Sequence, residues 1–124
     1  NMKIEEFNGI KYYIGRSAKD NWELLDNMKK KKEKYIWFHL NSFPSPYVIM
    51  EATIEMIRTN EDISGNIIGE ENYLQYGSEL CKKYSKYKNM SDIKVMYISI
   101  DKLTKSKKIG AVQVKGKSRK SKII

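Results

Sequence analysis

The side chains best suited to chemistry or to ligand binding lie in one apolar segment, Tyr35 to Met50. None of its sixteen residues is Asp, Glu, Lys or Arg, although 31% of the 124-residue chain is charged. The segment holds the only histidine, His39, close to Trp37. An imidazole acts as a general base when an acid orients it and a substrate pocket faces it. The sequence shows no nucleophile–base set and no Gly-rich phosphate loop, so it predicts a binding protein and not an enzyme.

Alternation divides the predicted central strand into two faces. Ile36 and Phe38 point one way with Leu40, whereas Trp37 and His39 point the other way. The aliphatic face is typical of a core beneath helices. For the aromatic face two interpretations stay open: it packs beneath a second layer, or it stacks unpaired bases, which contributes roughly 1–3 kcal/mol per base. The residues expected to share this face as a binding surface are Tyr35, Trp37, His39 and Tyr47.

The positive charge is concentrated at one end of the chain. Residues 102–124, here called the basic C-terminal segment, contain nine Lys or Arg and no acid, whereas the other residues carry fifteen charges of each sign. The whole formal net charge of +9 therefore lies in this segment, which indicates a polyanion partner or a solubilising surface. The expected phosphate contacts are Lys102, Lys105, Lys107, Lys108, Lys115, Lys117, Arg119 and Lys120, together with Arg16, Lys86 and Lys88.

Cysteine and histidine counts exclude several kinds of site. Cys81 is the only cysteine and His39 the only histidine, so an intrachain disulfide and a Cys-based zinc site are excluded and no metal or other cofactor is expected. No apolar run reaches the roughly 18–20 residues of a membrane helix, and the N-terminal residues lack the apolar core of a signal peptide. The sequence predicts a cytoplasmic or nuclear protein with no membrane partner.

Hydrophobic spacing and turn residues predict a single α+β domain, residues 1–124, with a mixed, mostly antiparallel sheet of about five to seven strands and two helices. Asn8-Gly9 between two alternating runs predicts a hairpin, and the Ser17 and Asp20 capping boxes predict a helix from about Asp20 to Lys30. The other predicted elements are strands at Tyr35–Leu40, Tyr47–Ile54, Ile93–Ile100 and Gly110–Val114, a long helix at Glu70–Tyr87, and a short last strand or tail at Lys122–Ile124.

Several short runs resemble a known family. They are Tyr13-Ile14-Gly15-Arg16 with Asn21, Trp37-Phe38-His39, Ser45-Pro46-Tyr47-Val48-Ile49, Tyr84-Ser85-Lys86-Tyr87-Lys88-Asn89, Val95-Met96-Tyr97, Lys102-Leu103-Thr104-Lys105 and Gly110-Ala111-Val112. In this order they resemble the stand-alone NFACT RNA-binding module, the domain-of-unknown-function 814 type. That module also ends the large ribosome-quality-control factors of the fibronectin-binding-protein-like family. The chain departs from the family at Tyr35 and at Tyr47, where relatives often have an acid and a second histidine.

The resemblance implies RNA binding, in agreement with the charge pattern. The resulting hypothesis is a non-catalytic nucleic-acid-binding module, foremost for RNA, that uses a basic patch and an aromatic sheet face. Two alternatives remain: a protein-interaction or ribosome-docking module, and a module for DNA. Phosphate contacts do not distinguish RNA from DNA, whereas the 2′-hydroxyl does.

Overall fold

The computed structural model describes residues 2–116 and 119–124. Lys117, one of the expected phosphate contacts, lies outside the described residues. The described residues form eight strands, three α-helices and one 3-10 turn at Ile100–Lys102. In chain order the elements are β1 Lys3–Phe7, β2 Ile10–Ile14, α1 Ala18–Lys29, β3 Ile36–Leu40, β4 Val48–Met50, α2 Ile54–Thr59, α3 Glu70–Lys83, β5 Lys94–Ser99, β6 Leu103–Lys105, β7 Val112–Val114 and β8 Lys120–Ile123.

The predicted α+β class and the mostly antiparallel sheet are confirmed. Six strands form one sheet in the order β1-β2-β4-β3-β5-β8, and β6 pairs with β7 in a separate two-stranded sheet. All these pairs are antiparallel. The apolar strand β3 lies inside the large sheet between β4 and β5, where both of its edges are hydrogen-bonded.

The first hairpin forms where the sequence predicts it. Asn8 and Gly9 have φ values of 48° and 80°, which is the left-handed pair that a two-residue hairpin turn requires. Phe7 therefore pairs with Ile10 at the turn. The Asn8 side chain also donates to the Tyr73 hydroxyl at 2.7 Å, which ties the turn to α3.

Helix α3, with α2 beside it, covers the aliphatic face of the sheet. Ile36, Phe38 and Leu40 are buried there in one cluster with Tyr73 and Leu80 of α3. The helix approaches closely because it has Gly77 at the contact: a Cβ on that glycine would lie 2.4 Å from the Phe38 ring.

Helix α1 and the two-stranded sheet cover the aromatic face. Leu24, Leu25 and Met28 of α1 pack against Trp37 and Tyr47, and both of these rings are only 1% exposed. Of the two interpretations of this face, packing beneath a second layer is confirmed. Stacking of bases on Trp37 or Tyr47 is wrong for this fold, because α1 occupies the space that a base would need.

The prediction of two helices is wrong by one. The strand predicted at Tyr47–Ile54 ends at Met50, and Ile54–Thr59 is the short helix α2. The Thr53 side chain begins this helix by accepting a hydrogen bond from the Met56 N–H at 3.1 Å. One and a half turns with a single buried residue, Ile57, are too short to give a helical period in the sequence.

Helix α3 ends at Lys83, four residues before the predicted end at Tyr87. The Ser85 hydroxyl donates to the Lys82 carbonyl at 2.7 Å and accepts from the Tyr87 N–H at 3.0 Å. A serine side chain that bonds to nearby backbone groups competes with continued helix. The Tyr84–Lys86 segment therefore leaves the helix and turns toward the end of β2. None of the helices in the described ranges is long and apolar enough to cross a membrane.

Candidate functional site

A cavity of about 550 Å³ lies where β2 and β3 end and β4 begins. Five separate segments form it: the β2–α1 turn with Asn21, the end of β3, the turn before β4, the residues after α3, and the loop between β6 and β7. Its volume is within the roughly 300–1,000 Å³ typical of small-ligand pockets. The residues that line this pocket are Gly15, Arg16, Ser17, Ala18, Asn21, His39, Pro44, Ser45, Pro46, Tyr84, Ser85, Lys86, Lys108, Ile109, Gly110 and Ala111.

Three cations and no acid are among those lining residues: Arg16, Lys86 and Lys108. All three are exposed, and none forms an ion pair within residues 2–116 and 119–124. Other lysines do have such partners; Lys31, for example, lies 2.5 Å from Glu51. Three cations without an ion-pair partner around one concave site favour the approach of an anion.

Gly15 and Asn21 fix the wall formed by the β2–α1 turn. The Asn21 Oδ1 atom accepts from the Tyr47 N–H at 3.1 Å, while the Gly15 N–H donates to the Tyr47 carbonyl at 3.0 Å. A Cβ at Gly15 would lie 2.1 Å from Asn21 Oδ1. Glycine is therefore needed here for space, and the arrangement holds Arg16 beside the start of β4.

The turn before β4 is held by Ser45. Its hydroxyl accepts from the Leu40 N–H and donates to the Pro46 carbonyl, both at 3.0 Å. Cys81 lies behind this turn, with Sγ 3.5 Å from Ser45 Oγ. Burial raises the pKa of the Cys81 thiol to about 12, so this cysteine is a protonated packing residue.

Tyr47 and Trp22 hold the loop that carries Lys108. The Tyr47 hydroxyl donates to the Gly110 carbonyl at 2.5 Å, and Trp22 Nε1 donates to the Ala111 carbonyl at 3.1 Å. Gly110 has a φ of +86°, and a Cβ there would lie 2.8 Å from the Ala18 Cβ. Burial raises the pKa of Tyr47 to about 12, so its hydroxyl keeps the proton that this bond requires. Tyr47 thus positions the pocket wall and does not stack a base.

His39 is the histidine that lines the pocket. Its ring stacks on Trp37, with centroids 5.3 Å apart and planes at 15°, and its Nδ1 lies 2.7 Å from the Leu40 carbonyl oxygen. Burial lowers the pKa of His39 from its ordinary value of 6.5, so the ring is neutral at pH 7. The partner of Nδ1 is a backbone carbonyl and not the carboxylate that would orient a general base.

Tyr84 closes the side of the pocket nearest β1. Its hydroxyl donates to Glu5 Oε2, and burial together with this bond raises the pKa of Tyr84 to about 12. Lys83 Nζ lies 5.3 Å from the centroid of the same ring. These contacts fix the residue immediately before Ser85 and Lys86, and so fix the direction of the Lys86 backbone.

The predicted basic patch is not one continuous surface. Lys108 joins Arg16 and Lys86 at the pocket, but Lys102 and Lys120 line a second cavity of about 350 Å³. That cavity also contains Glu55, Glu70, Glu71 and Arg58, and it lies at the opposite end of β3. Its acids compensate its cations, which makes it a poorer anion site.

The remaining predicted contacts divide in the same way. Lys105 pairs with Asp26 at 2.9 Å and lies over the Trp22 ring, 5.2 Å from its centroid. Folding therefore separates charges that are close in sequence, and phosphate contact at Lys102, Lys105 and Lys120 stays a prediction. Four further predicted contacts lie outside the pocket. They are exposed and form no ion pair in the described part of the chain: Lys88, Lys107, Lys115 and Arg119.

The pocket also contains uncharged residues that the charge pattern of the sequence does not indicate. Tyr84, Ser85 and Gly110 have no charge and no unusual spacing, although all three belong to runs that carry the family resemblance. Within the described residues, no group of three or more His, Cys, Asp or Glu is arranged to hold a metal ion.

Comparison with known proteins identifies the fold. No protein-family model matches the sequence, and no curated protein matches it. Among solved structures, the chain is similar to the C-terminal part of the fibronectin/fibrinogen-binding protein from Streptococcus suis, with a TM-score of 0.73 and 21% sequence identity. The match covers 99% of this chain and 44% of that chain. At this identity the likeness shows a shared fold, and this chain spans less than half the length of the solved one.

Proposed function

We propose that this chain is a non-catalytic nucleic-acid-binding module that holds single-stranded RNA at the pocket between β2, β3 and β4. Arg16, Lys86 and Lys108 bind phosphate oxygens, and the strand leaves the pocket over exposed lysines such as Lys88 and Lys107. Phosphate contacts of this kind position a strand without reading its sequence.

One observation supports this proposal above the others: three cations that are far apart in the sequence meet at one pocket with no acid in its lining. Arginine offers a planar fork of N–H donors that matches phosphate, and lysine supplies a point charge. Single-strand binding also agrees with the size of the pocket, because about 550 Å³ is the volume of a small-ligand site and too small for a duplex.

The family resemblance adds support. Five of the seven runs that resemble the NFACT module contribute residues to this pocket: Gly15-Arg16 after β2, His39 in β3, Ser45-Pro46 before β4, Tyr84-Ser85-Lys86 after α3, and Gly110-Ala111 before β7. We therefore propose membership of that family together with its RNA-binding role.

The test is a fluorescence-anisotropy titration of a labelled single-stranded RNA at about 50 and 200 mM salt. The variant replaces Arg16, Lys86 and Lys108 with Gln. Single strands release counterions with a slope of about 0.7 per phosphate contact, so loss of three contacts lowers the slope of log K against log salt by about 2.

A matched control separates the site from the overall charge. Lys30, Lys32 and Lys34 are exposed and have no ion pair in the described residues. Their replacement by Gln removes the same three charges from the formal +9. We expect the control variant to keep most of the affinity. Equal loss in both variants would mean that binding depends on net charge and that the pocket is not the site.

Protein docking is the second candidate. The solved structure with the same fold comes from a protein whose name describes binding to fibronectin and fibrinogen. If wild-type protein binds no RNA at about 50 mM salt, the RNA proposal fails. Direct titration with fibronectin and fibrinogen would then test the second candidate.

A further inference from the structure

The hydrogen-bonding state of His39 is fixed by its neighbour. Nδ1 lies 2.7 Å from the Leu40 carbonyl oxygen, and a carbonyl oxygen only accepts hydrogen bonds, so Nδ1 must carry the proton. In the neutral ring the other nitrogen, Nε2, is then an acceptor with no hydrogen. The neutral form persists at pH 7 because burial lowers the pKa of His39 below 6.5.

Nε2 is also accessible. It has no hydrogen-bond partner in the described part of the chain. Among the described residues, Trp37 Nε1 is the side-chain polar atom that is both fully buried and without a hydrogen-bond partner. His39 Nε2 also has no partner but is not in that group, so it is not fully buried. Because the His39 ring lines the pocket, we infer that Nε2 opens into it. The pocket thus combines three cations with one acceptor, and its ligand needs a negative group and a hydrogen-bond donor.

We propose that the pocket binds one ribonucleotide of the RNA strand, with its phosphate on Arg16, Lys86 and Lys108 and its ribose 2′-hydroxyl donating to His39 Nε2. This inference rests on the proposed function and adds selection of RNA over DNA. Deoxyribose has no 2′-hydroxyl donor, so DNA would leave Nε2 without a partner. The donor belongs to the sugar and not to the base, so the selection does not depend on sequence.

Three uridine decamers test the proposal on the wild-type protein: ribose, 2′-fluoro and 2′-deoxy. The base and the number of phosphates are identical in all three. The 2′-fluoro sugar keeps the ribose-like pucker but has no donor, so it separates hydrogen bonding from strand shape. One neutral hydrogen bond corresponds to a loss of about three- to tenfold in affinity. We expect this loss for both modified strands, and equal affinity for ribose and 2′-fluoro strands would overturn the inference.

Two variants attribute the selection to His39. His39→Phe keeps a ring against Trp37 but removes the acceptor, whereas His39→Gln places an amide oxygen near the position of Nε2. We expect His39→Phe to bind the ribose and 2′-fluoro strands equally and His39→Gln to retain part of the preference. A preference that persists in His39→Phe would overturn the assignment. If all three strands bind equally well to wild-type protein, this inference fails and the proposed function stands; if none binds, both fail.

Discussion

Replacement of Gly15 by Ala tests whether the pocket wall is built as described. The added Cβ would lie 2.1 Å from Asn21 Oδ1 and 3.1 Å from the Asn21 Cα. The side-chain oxygen must move, which breaks its 3.1 Å hydrogen bond with the Tyr47 N–H. Tyr47 is 1% exposed and Asn21 is 7% exposed, so water does not easily replace the lost partner.

The expected cost follows from these contacts. A buried N–H without a partner costs about 1–3 kcal/mol, and forced overpacking costs about 1–3 kcal/mol. Replacing glycine also lowers the conformational entropy of the unfolded chain, which stabilises the folded state by only about 0.4–1 kcal/mol. We therefore expect Gly15→Ala to lower the free energy of unfolding by about 2–4 kcal/mol. Urea unfolding followed by the fluorescence of Trp22 and Trp37 measures this change.

A double-mutant cycle with Asn21→Ala is the control. Asn21→Ala alone should be destabilising because it removes the same hydrogen bond. In that background the side-chain oxygen is gone, so Gly15→Ala should cost less than half of its cost in the wild-type chain. The explanation is refuted if Gly15→Ala costs less than about 0.5 kcal/mol in the wild-type chain, within the range of a neutral surface change. It is also refuted if the cost is the same in both backgrounds.

Three further changes test other parts of the structure. Gly77→Ala places a Cβ 2.4 Å from the Phe38 ring, so it should destabilise the protein by about 1–3 kcal/mol in thermal unfolding despite alanine's higher helix propensity; an increase in stability would contradict the close approach. Tyr47→Phe removes the 2.5 Å bond to the Gly110 carbonyl, and urea unfolding should show a loss of about 1 kcal/mol together with weaker RNA binding; unchanged values in both assays would contradict the positioning role. Burial lowers the pKa of His39 below 6.5 in the folded protein. As the pH falls, the unfolded chain therefore takes up the proton before the folded chain does. The contribution to the free energy of unfolding that is present above pH 6.5 is lost as the pH falls through the folded pKa. Between about pH 7 and pH 5.5, the free energy of unfolding measured in urea should therefore decrease less for His39→Gln than for the wild-type chain. Equal decreases would contradict a lowered pKa of His39 in the folded protein.

Elements set by neighbouring residues were predictable from the sequence. The Asn8-Gly9 turn formed because both residues accept positive φ, and Ser17 caps α1 by accepting from the Asp20 N–H at 3.0 Å. The central strand β3 was marked by its apolar, charge-free composition. By contrast, α2 was not predicted, because a helix of this length is too short to show a helical period in the sequence. Helix α3 ends before its predicted end because the Ser85 hydroxyl forms hydrogen bonds with the nearby backbone.

The pocket was likewise predictable only in part from the sequence. Residue types indicate an anion partner, and the Arg16, His39 and Lys86 runs resemble a family, but charge density alone does not separate the lysine that lines the pocket from those that lie elsewhere. Lys102 and Lys105 are close to Lys108 in sequence, yet Lys102 lies at the opposite end of β3 and Lys105 pairs with Asp26.

Tertiary structure also decided the role of the aromatic residues. Alternation placed Trp37 and His39 on one face of β3, and it left open whether a second layer covers that face. Packing of α1 answers this question, since it buries Trp37 and leaves His39 at the pocket edge. A strand pattern specifies which side chains share a face, whereas the element that covers the face is set by long-range packing, which no local pattern encodes.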